Sequence, residues 1–157
     1  MHNHELHAHD HSHGAEACLA DAEAACAAAG ETLTPLRRRV LSLLLEASGP
    51  AKAYDLLARL KDDGAAKPPT IYRALEFLMR LGLVHRIESL NAYIACAVHG
   101  CARPTAFLIC DRCGVTVETD GKAALADVHA AAASQDFSVT RVIAEAHGVC
   151  AHCRSGR

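Results

Sequence analysis

At 157 residues with 51% apolar side chains, the chain can bury one core or two small ones, which excludes wholesale disorder. No apolar run reaches the roughly 20 residues that a bilayer-spanning helix needs, and Glu16, Asp21 and Glu23 interrupt the Ala-rich segment near the N-terminus, so neither a membrane partner nor an export signal is expected. The formal net charge of −2 would argue against nucleic acid, but residues 35–86 hold ten Lys or Arg against five Asp or Glu, a local +5 that leaves −7 elsewhere and hints at phosphate binding.

The chain opens with "MHNHELHAHDHSHG", six histidines and almost no apolar groups, so residues 1–15 are expected to form a disordered His-rich tail. Such imidazoles bind zinc or nickel weakly, or form a passive tail. From Glu16 to Ala29 the Ala-rich run favours helix, with Gly30 placed as a C-terminal cap. In "LTPLRRRVLSLLLEASG", Thr34 can cap a second helix, Pro35 suits its first position, and Leu36, Val40 and Leu44 share a face. After Gly49-Pro50, "AYDLLARLKDDG" predicts a short third helix with Leu56, Leu57 and Leu60 inward. The fourth helix, "KPPTIYRALEFLMRLG", begins at prolines, repeats Ile71, Leu75 and Leu78 at helical spacing, and stops at Gly82.

The period then falls to two in "LVHRIES" and "NAYIAC", a hairpin turning near Leu90-Asn91. Helices followed by a hairpin over residues 16–96 describe a winged helix-turn-helix, whose helix Thr70 to Leu81 would enter the major groove of DNA. Thr70 at the start of that helix is a candidate for DNA contact, with Arg37, Arg38 and Lys67 for phosphate. Residues 97–104 read as a hinge. In residues 105–157, "TAFLIC" and "GVTVET" are strand-like around a CxxC turn, a helix follows at Lys122 to Ser134, and a strand in "FSVTRVIAEA" leads to a second CxxC. The expected class is α+β, a winged helix followed by a small α/β unit.

Cys110-x-x-Cys113 and Cys150-x-x-Cys153 each let two sulfurs reach one ion at about 2.3 Å, and together they complete a tetrahedral zinc site. Thiols in a chain without an export signal are expected to be reduced, and two such pairs point to structural zinc rather than a redox couple. With all four positions closed there is no room for a catalytic water. Cys96, His99 and Cys101, with Glu118 beyond the first CxxC and His85 at the parity of Leu83 and Ile87, form a second constellation. Taken singly, each also reads as a packed or solvated residue. Ligands drawn from wing, link and second unit would let one ion fix the angle between two units, and mixed Cys, His and Glu ligation favours zinc over iron or manganese.

"LTPLRRRVL", "AYDLL", "AKPPTIYRALEFLMRLGLVHRIES", "NAYIAC", "FLICDRCG" and "EAHGVCAHC" together, in order from about residue 16 to 153, resemble the ferric uptake regulator family, specifically its zinc-uptake-regulator branch. The resemblance implies a homodimeric bacterial repressor of the cytoplasm that binds a palindromic double-stranded operator when zinc is bound and blocks zinc-import genes. It implies a C-terminal dimerisation domain, about two Zn2+ per chain, no small organic substrate and no enzymatic activity. By motif position, Cys110, Cys113, Cys150 and Cys153 match the structural zinc ligands, His85, Cys96 and Glu118 the regulatory ones, and Tyr72 and Arg73 the recognition-helix pair.

The chain departs from the family pattern in three places. Leu36 stands where Gln is usual, Lys52 where Ser is usual, and Ala102 and Arg103 where a further regulatory histidine is expected, so that either His99 or Cys101 supplies that ligand or the site differs from the family's. His129 is expected to be a helix histidine without a metal, and Cys18 and Cys26 small apolar side chains. Two rival readings keep some of the same residues: a thiol-based redox regulator using Cys96 and Cys101, and a zinc-buffering or delivery protein using the His-rich tail.

Overall fold

The computed structural model describes residues 11–61, 67–96 and 104–156. Helix α1 (His11–Ala28) is followed by α2 (Pro35–Glu46), α3 (Ala53–Lys61) and α4 (Pro68–Arg80), then by the hairpin β1 (Val84–Ile87) and β2 (Ala92–Ala95). The second unit consists of β3 (Thr105–Cys110), β4 (Thr116–Asp120), α5 (Lys122–Ala133), β5 (Ala144–Gly148) and the single turn α6 (Ala151–Arg154). No helix among the described residues is long and apolar enough to cross a membrane.

Local chemistry sets the helix ends. The Thr34 hydroxyl accepts the Arg37 backbone N–H at 3.4 Å, and Pro35 fills the first helical position, where no N–H is needed. Helix α4 opens on Pro68 and stops at Gly82, whose φ of +69° lets its own N–H reach the Met79 carbonyl while the Leu83 N–H reaches Leu78. Val40, Leu41, Leu43 and Leu44 of α2 pack with Leu56, Leu57 and Leu60 of α3 and Ile71, Leu75 and Leu78 of α4 in one continuous core. Leu36 lies at the rim of that core, partly buried.

Two elements depart from expectation. Helix α1 begins at His11, inside the segment expected to be a disordered tail through residue 15; adding turns to an existing Ala-rich helix costs little once it is nucleated. Residues 1–10 lie outside the described residues, as do 97–103 of the expected hinge. Strand β5 lies further along the chain than the β-branched run suggests, sharing only Ala144, Glu145 and Ala146 with "FSVTRVIAEA". Pairing decides its place, because β5 runs parallel to β3 with Cys110 opposite Gly148, which brings the two CxxC segments side by side.

In the hairpin, Val84 pairs with Ala95 and Ile87 with Ala92, and Asn91 takes the positive φ of the turn at 48°. The second sheet has the order β4-β3-β5, antiparallel between β3 and β4, with α5 inside the crossover from β4 to β5. Ile87 of the wing packs with Phe107 and Ile109 of β3, flanked by Leu90 and Ile94, so the two units meet through apolar side chains.

Candidate metal centres and nucleic-acid surface

The sulfurs of Cys110, Cys113, Cys150 and Cys153 lie within 4.8 Å of one another. Cys113 Sγ and Cys150 Sγ are 3.8 Å apart, and a tetrahedron with Zn–S bonds of about 2.3 Å requires sulfur separations of about 3.8 Å. Cys110 closes β3, and the backbone N–H of Cys150 donates to its sulfur at 3.4 Å. The backbone N–H groups of Cys150, then Cys113 and Arg112, hold the Cys110 thiol down at about 6, which favours its thiolate form. Cys153 is pushed up to about 12, first by its hydrogen bond with Cys113, then by burial and the other sulfurs. Four sulfurs this close cannot all ionise unless a cation offsets their charge, and a divalent soft-ligand metal fits that requirement.

The second group joins the two units. His85 on β1, Cys96 just after β2 and Glu118 on β4 bring Nε2, Sγ and a carboxylate oxygen within 4.8 Å of one another. Glu118 Oε1 stands 3.6 Å from both Cys96 Sγ and His85 Nε2. His85 Nε2 is buried and has no hydrogen-bond partner, and the ring lies edge-on to Phe107 at 5.4 Å. Burial pushes the His85 pKa down, and Glu118 offsets part of that shift. The unpartnered Nε2 therefore faces a thiol and a carboxylate, a donor set that suits zinc. His99 and Cys101 lie outside the described residues.

His129 is exposed on α5 and belongs to neither ligand group among the described residues. Cys26 is buried in the first unit's core, and burial raises the thiol pKa of both Cys18 and Cys26, as befits inert packing groups.

On α4, Tyr72 is 51% exposed, Arg73 and Lys67 are exposed, and Thr70 is half-buried. Arg37 stands apart from these. Its guanidinium lies 3.4 Å over the Phe77 ring, and Nη1 donates to the Thr32 carbonyl at 2.8 Å, so the fold already uses part of it. Arg38 pairs with Glu16 at 3.5 Å and with Glu23, both on α1. Tyr54, 76% exposed on α3, lines a groove with Leu57, Ile71 and Tyr72 that sequence reasoning passed over; a tyrosine on the polar side of "AYDLLARLK" was the available signal.

A profile of the ferric uptake regulator family matches residues 28–147. The zinc uptake regulation protein of Escherichia coli (strain K12) is 44% identical over 139 residues, which cover 86% of this chain and 80% of that protein. A zinc uptake regulator solved with zinc and DNA is 40% identical, with a TM-score of 0.85 over 90% of this chain and 96% of the other. The holo form of XcZur is 41% identical and gives a TM-score of 0.83 over 88% of this chain and 98% of its own. The apo form of XcZur, at 40% identity over 89% of this chain and 97% of its own, gives 0.52.

Proposed function

The chain belongs to the ferric uptake regulator family, and from that premise we propose that it is a zinc-responsive, DNA-binding transcription regulator whose zinc-bound homodimer represses zinc-uptake genes. The observation that carries this reading is the His85, Cys96 and Glu118 group, which draws ligands from both units. The division at residues 16–96, 97–104 and 105–157 belongs to the same reading, as does a place in the bacterial cytoplasm and regulation rather than catalysis.

Cys110, Cys113, Cys150 and Cys153 would hold one zinc ion as a closed structural site. His85, Cys96 and Glu118, with His99 or Cys101 as a further ligand, would hold the regulatory one. When bound there, the ion supplies the positive charge that lets a thiolate and a carboxylate converge beside a neutral imidazole. His85 and Cys96 move with the wing and Glu118 with the second sheet, so shared ligation restricts the angle between the units. The holo and apo forms of XcZur support such a change of arrangement: their identities to this chain are nearly equal, yet the holo form superposes far better.

In the dimer a fixed angle would set two recognition helices about 34 Å apart, in successive major grooves of a palindromic operator. Tyr72 and Arg73 would reach bases or phosphate, Thr70 and Lys67 would contact the backbone, and Arg37 would contribute only the N–H groups left free by Thr32. A tenfold gain in operator affinity on zinc binding requires only about 1.4 kcal/mol of coupling.

Metal content per chain, measured beside operator binding across buffered zinc for wild type and Cys96→Ser, tests the reading. The operator can be selected from random duplex DNA by the zinc-loaded wild type. Two zinc ions in wild type, one in the variant, and zinc-dependent tightening on DNA only in wild type are expected. A variant that keeps both ions and the same zinc response removes Cys96 from the sensor.

A further inference from the structure

The metal group is not the only polar connection between the units. At the wing turn after Ile87, both oxygens of Glu145 accept consecutive backbone N–H groups, Oε1 from Glu88 at 2.6 Å and Oε2 from Ser89 at 3.1 Å. Two residues further along the same strand, His147 Nε2 lies 2.9 Å from Ser89 Oγ, and its Nδ1 lies 2.9 Å from Asp111 Oδ1. A carboxylate only accepts, so Nδ1 donates to Asp111, and the other side of the ring meets the Ser89 hydroxyl. Asp111 sits between Cys110 and Cys113, and its N–H donates to the Gly148 carbonyl at 2.8 Å. Arg141 adds a third tie, reaching Glu88 Oε1 at 2.6 Å.

We propose that Glu145 and His147 are positioning residues: they form a clamp, without metal, that holds the wing turn on the second unit and links the four-cysteine knuckle to the DNA-binding unit through Asp111, His147 and Ser89. The proposal deepens the zinc-regulator reading and rests on it. None of the clamp's residues is a candidate zinc ligand, so the clamp and the regulatory ion act on the same angle by separate chemistry. Beneath the clamp, Ile87, Phe107 and Ile109 supply apolar contact that resists separation without specifying direction. A carboxylate across two successive N–H groups specifies direction, because both bonds are kept only over a narrow range of angles. Burial alone would raise the Glu145 carboxyl, but the Ser89 hydroxyl, the Ser89 and Glu88 N–H groups and His147 hold it below its ordinary range.

The regulatory ligands converge only when the two units are closed on each other. A clamp that favours closure therefore raises the fraction of molecules ready for regulatory zinc, and the apparent zinc affinity rises in proportion. Losing it leaves the ligands intact and makes zinc work against a more open ensemble.

The test is zinc competition with a chromophoric chelator on full-length protein already loaded at the structural site, beside operator binding across buffered zinc, for wild type, Glu145→Ala, Ser89→Ala and His147→Ala. We expect Glu145→Ala to need about tenfold more free zinc to half-fill the regulatory site and to bind operator, while holding two zinc ions per chain at saturation. Ser89→Ala and His147→Ala should each shift the zinc midpoint in the same direction, and the double variant should shift it no further than either alone, because both break one link. Should Glu145→Ala fold poorly, Ser89→Ala carries the test, since it removes only an exposed hydroxyl. Midpoints identical to wild type in Ser89→Ala and in every folded variant overturn the clamp. A wild type whose operator binding ignores zinc overturns the regulator reading instead, and the chelator midpoints then still report whether the clamp closes the two units.

Discussion

The two units are stabilised by different means. Among the described residues, 22 buried apolar side chains lie in the first unit, up to Cys96, and three in the second, Phe107, Ile109 and Cys110. Helix α5 buries none of its residues, and Leu108, Val115, Val117, Val128, Phe137, Ile143 and Val149 of the same unit are exposed. A unit with so few buried groups cannot offset its chain entropy by packing alone. The first unit carries its own stability; in the proposed reading the second depends on zinc at its four cysteines and on a second copy covering its apolar face, beside the wing packed against it.

The largest effect should follow from breaking the four-cysteine group. Cys150→Ser removes one thiolate and also the sulfur that accepts the Cys153 N–H, and structural zinc contributes on the order of 10 kcal/mol of apparent binding free energy. The expected result is one zinc fewer per chain and loss of amide-exchange protection in β3, β4 and β5, with protection retained in α2 and α4. Equal loss of protection in both units would erase the distinction between them.

Next in size is a change inside the first core. Leu75 of α4 is fully buried in that core, and Leu75→Ala should cost about 2–5 kcal/mol of unfolding free energy, measured by denaturant titration, with zinc content unchanged. A simultaneous loss of metal would mean that the second unit leans on the first more heavily than its own ligands suggest.

What could be read from the sequence follows the same division. Thr34-Pro35, the 3.6-residue period of Ile71, Leu75 and Leu78, and Gly82 are local signals, and local signals survive folding because the groups that satisfy them are neighbours in the chain. The CxxC pairs are equally local within each turn. The regulatory group was legible only in outline: position on wing, link and second unit grouped His85, Cys96 and Glu118 with His99 and Cys101, while the family resemblance singled out the three that the fold brings together in space, which no local signal could do. Glu145 and Ser89 are 56 residues apart, and nothing in either neighbourhood names the other. Strand β5 was misplaced for a related reason, since a β-branched run marks where a strand could form, while the register with β3 decides where it does.

The smallest predicted effect tests how little tolerance the second unit has. Gly121 caps α5 and lies against the start of β3, its N–H donating to the Pro104 carbonyl at 2.9 Å. A β-carbon added there would stand 2.8 Å from the Thr105 carbonyl carbon and 3.0 Å from the Ala106 nitrogen, both backbone atoms that cannot swing aside as a side chain would. Gly121→Ala must therefore push α5 away from β3, at a cost of about 1–3 kcal/mol. In a unit that buries three apolar residues this should appear as faster amide exchange in β3 and β4 and a weaker hold on the structural zinc, while α2 and α4 exchange as in wild type. If α2 and α4 loosen to the same extent, the apolar contact through Ile87 and Phe107 already binds the units into one cooperative body, and regulatory zinc would then tighten an angle that packing has largely set.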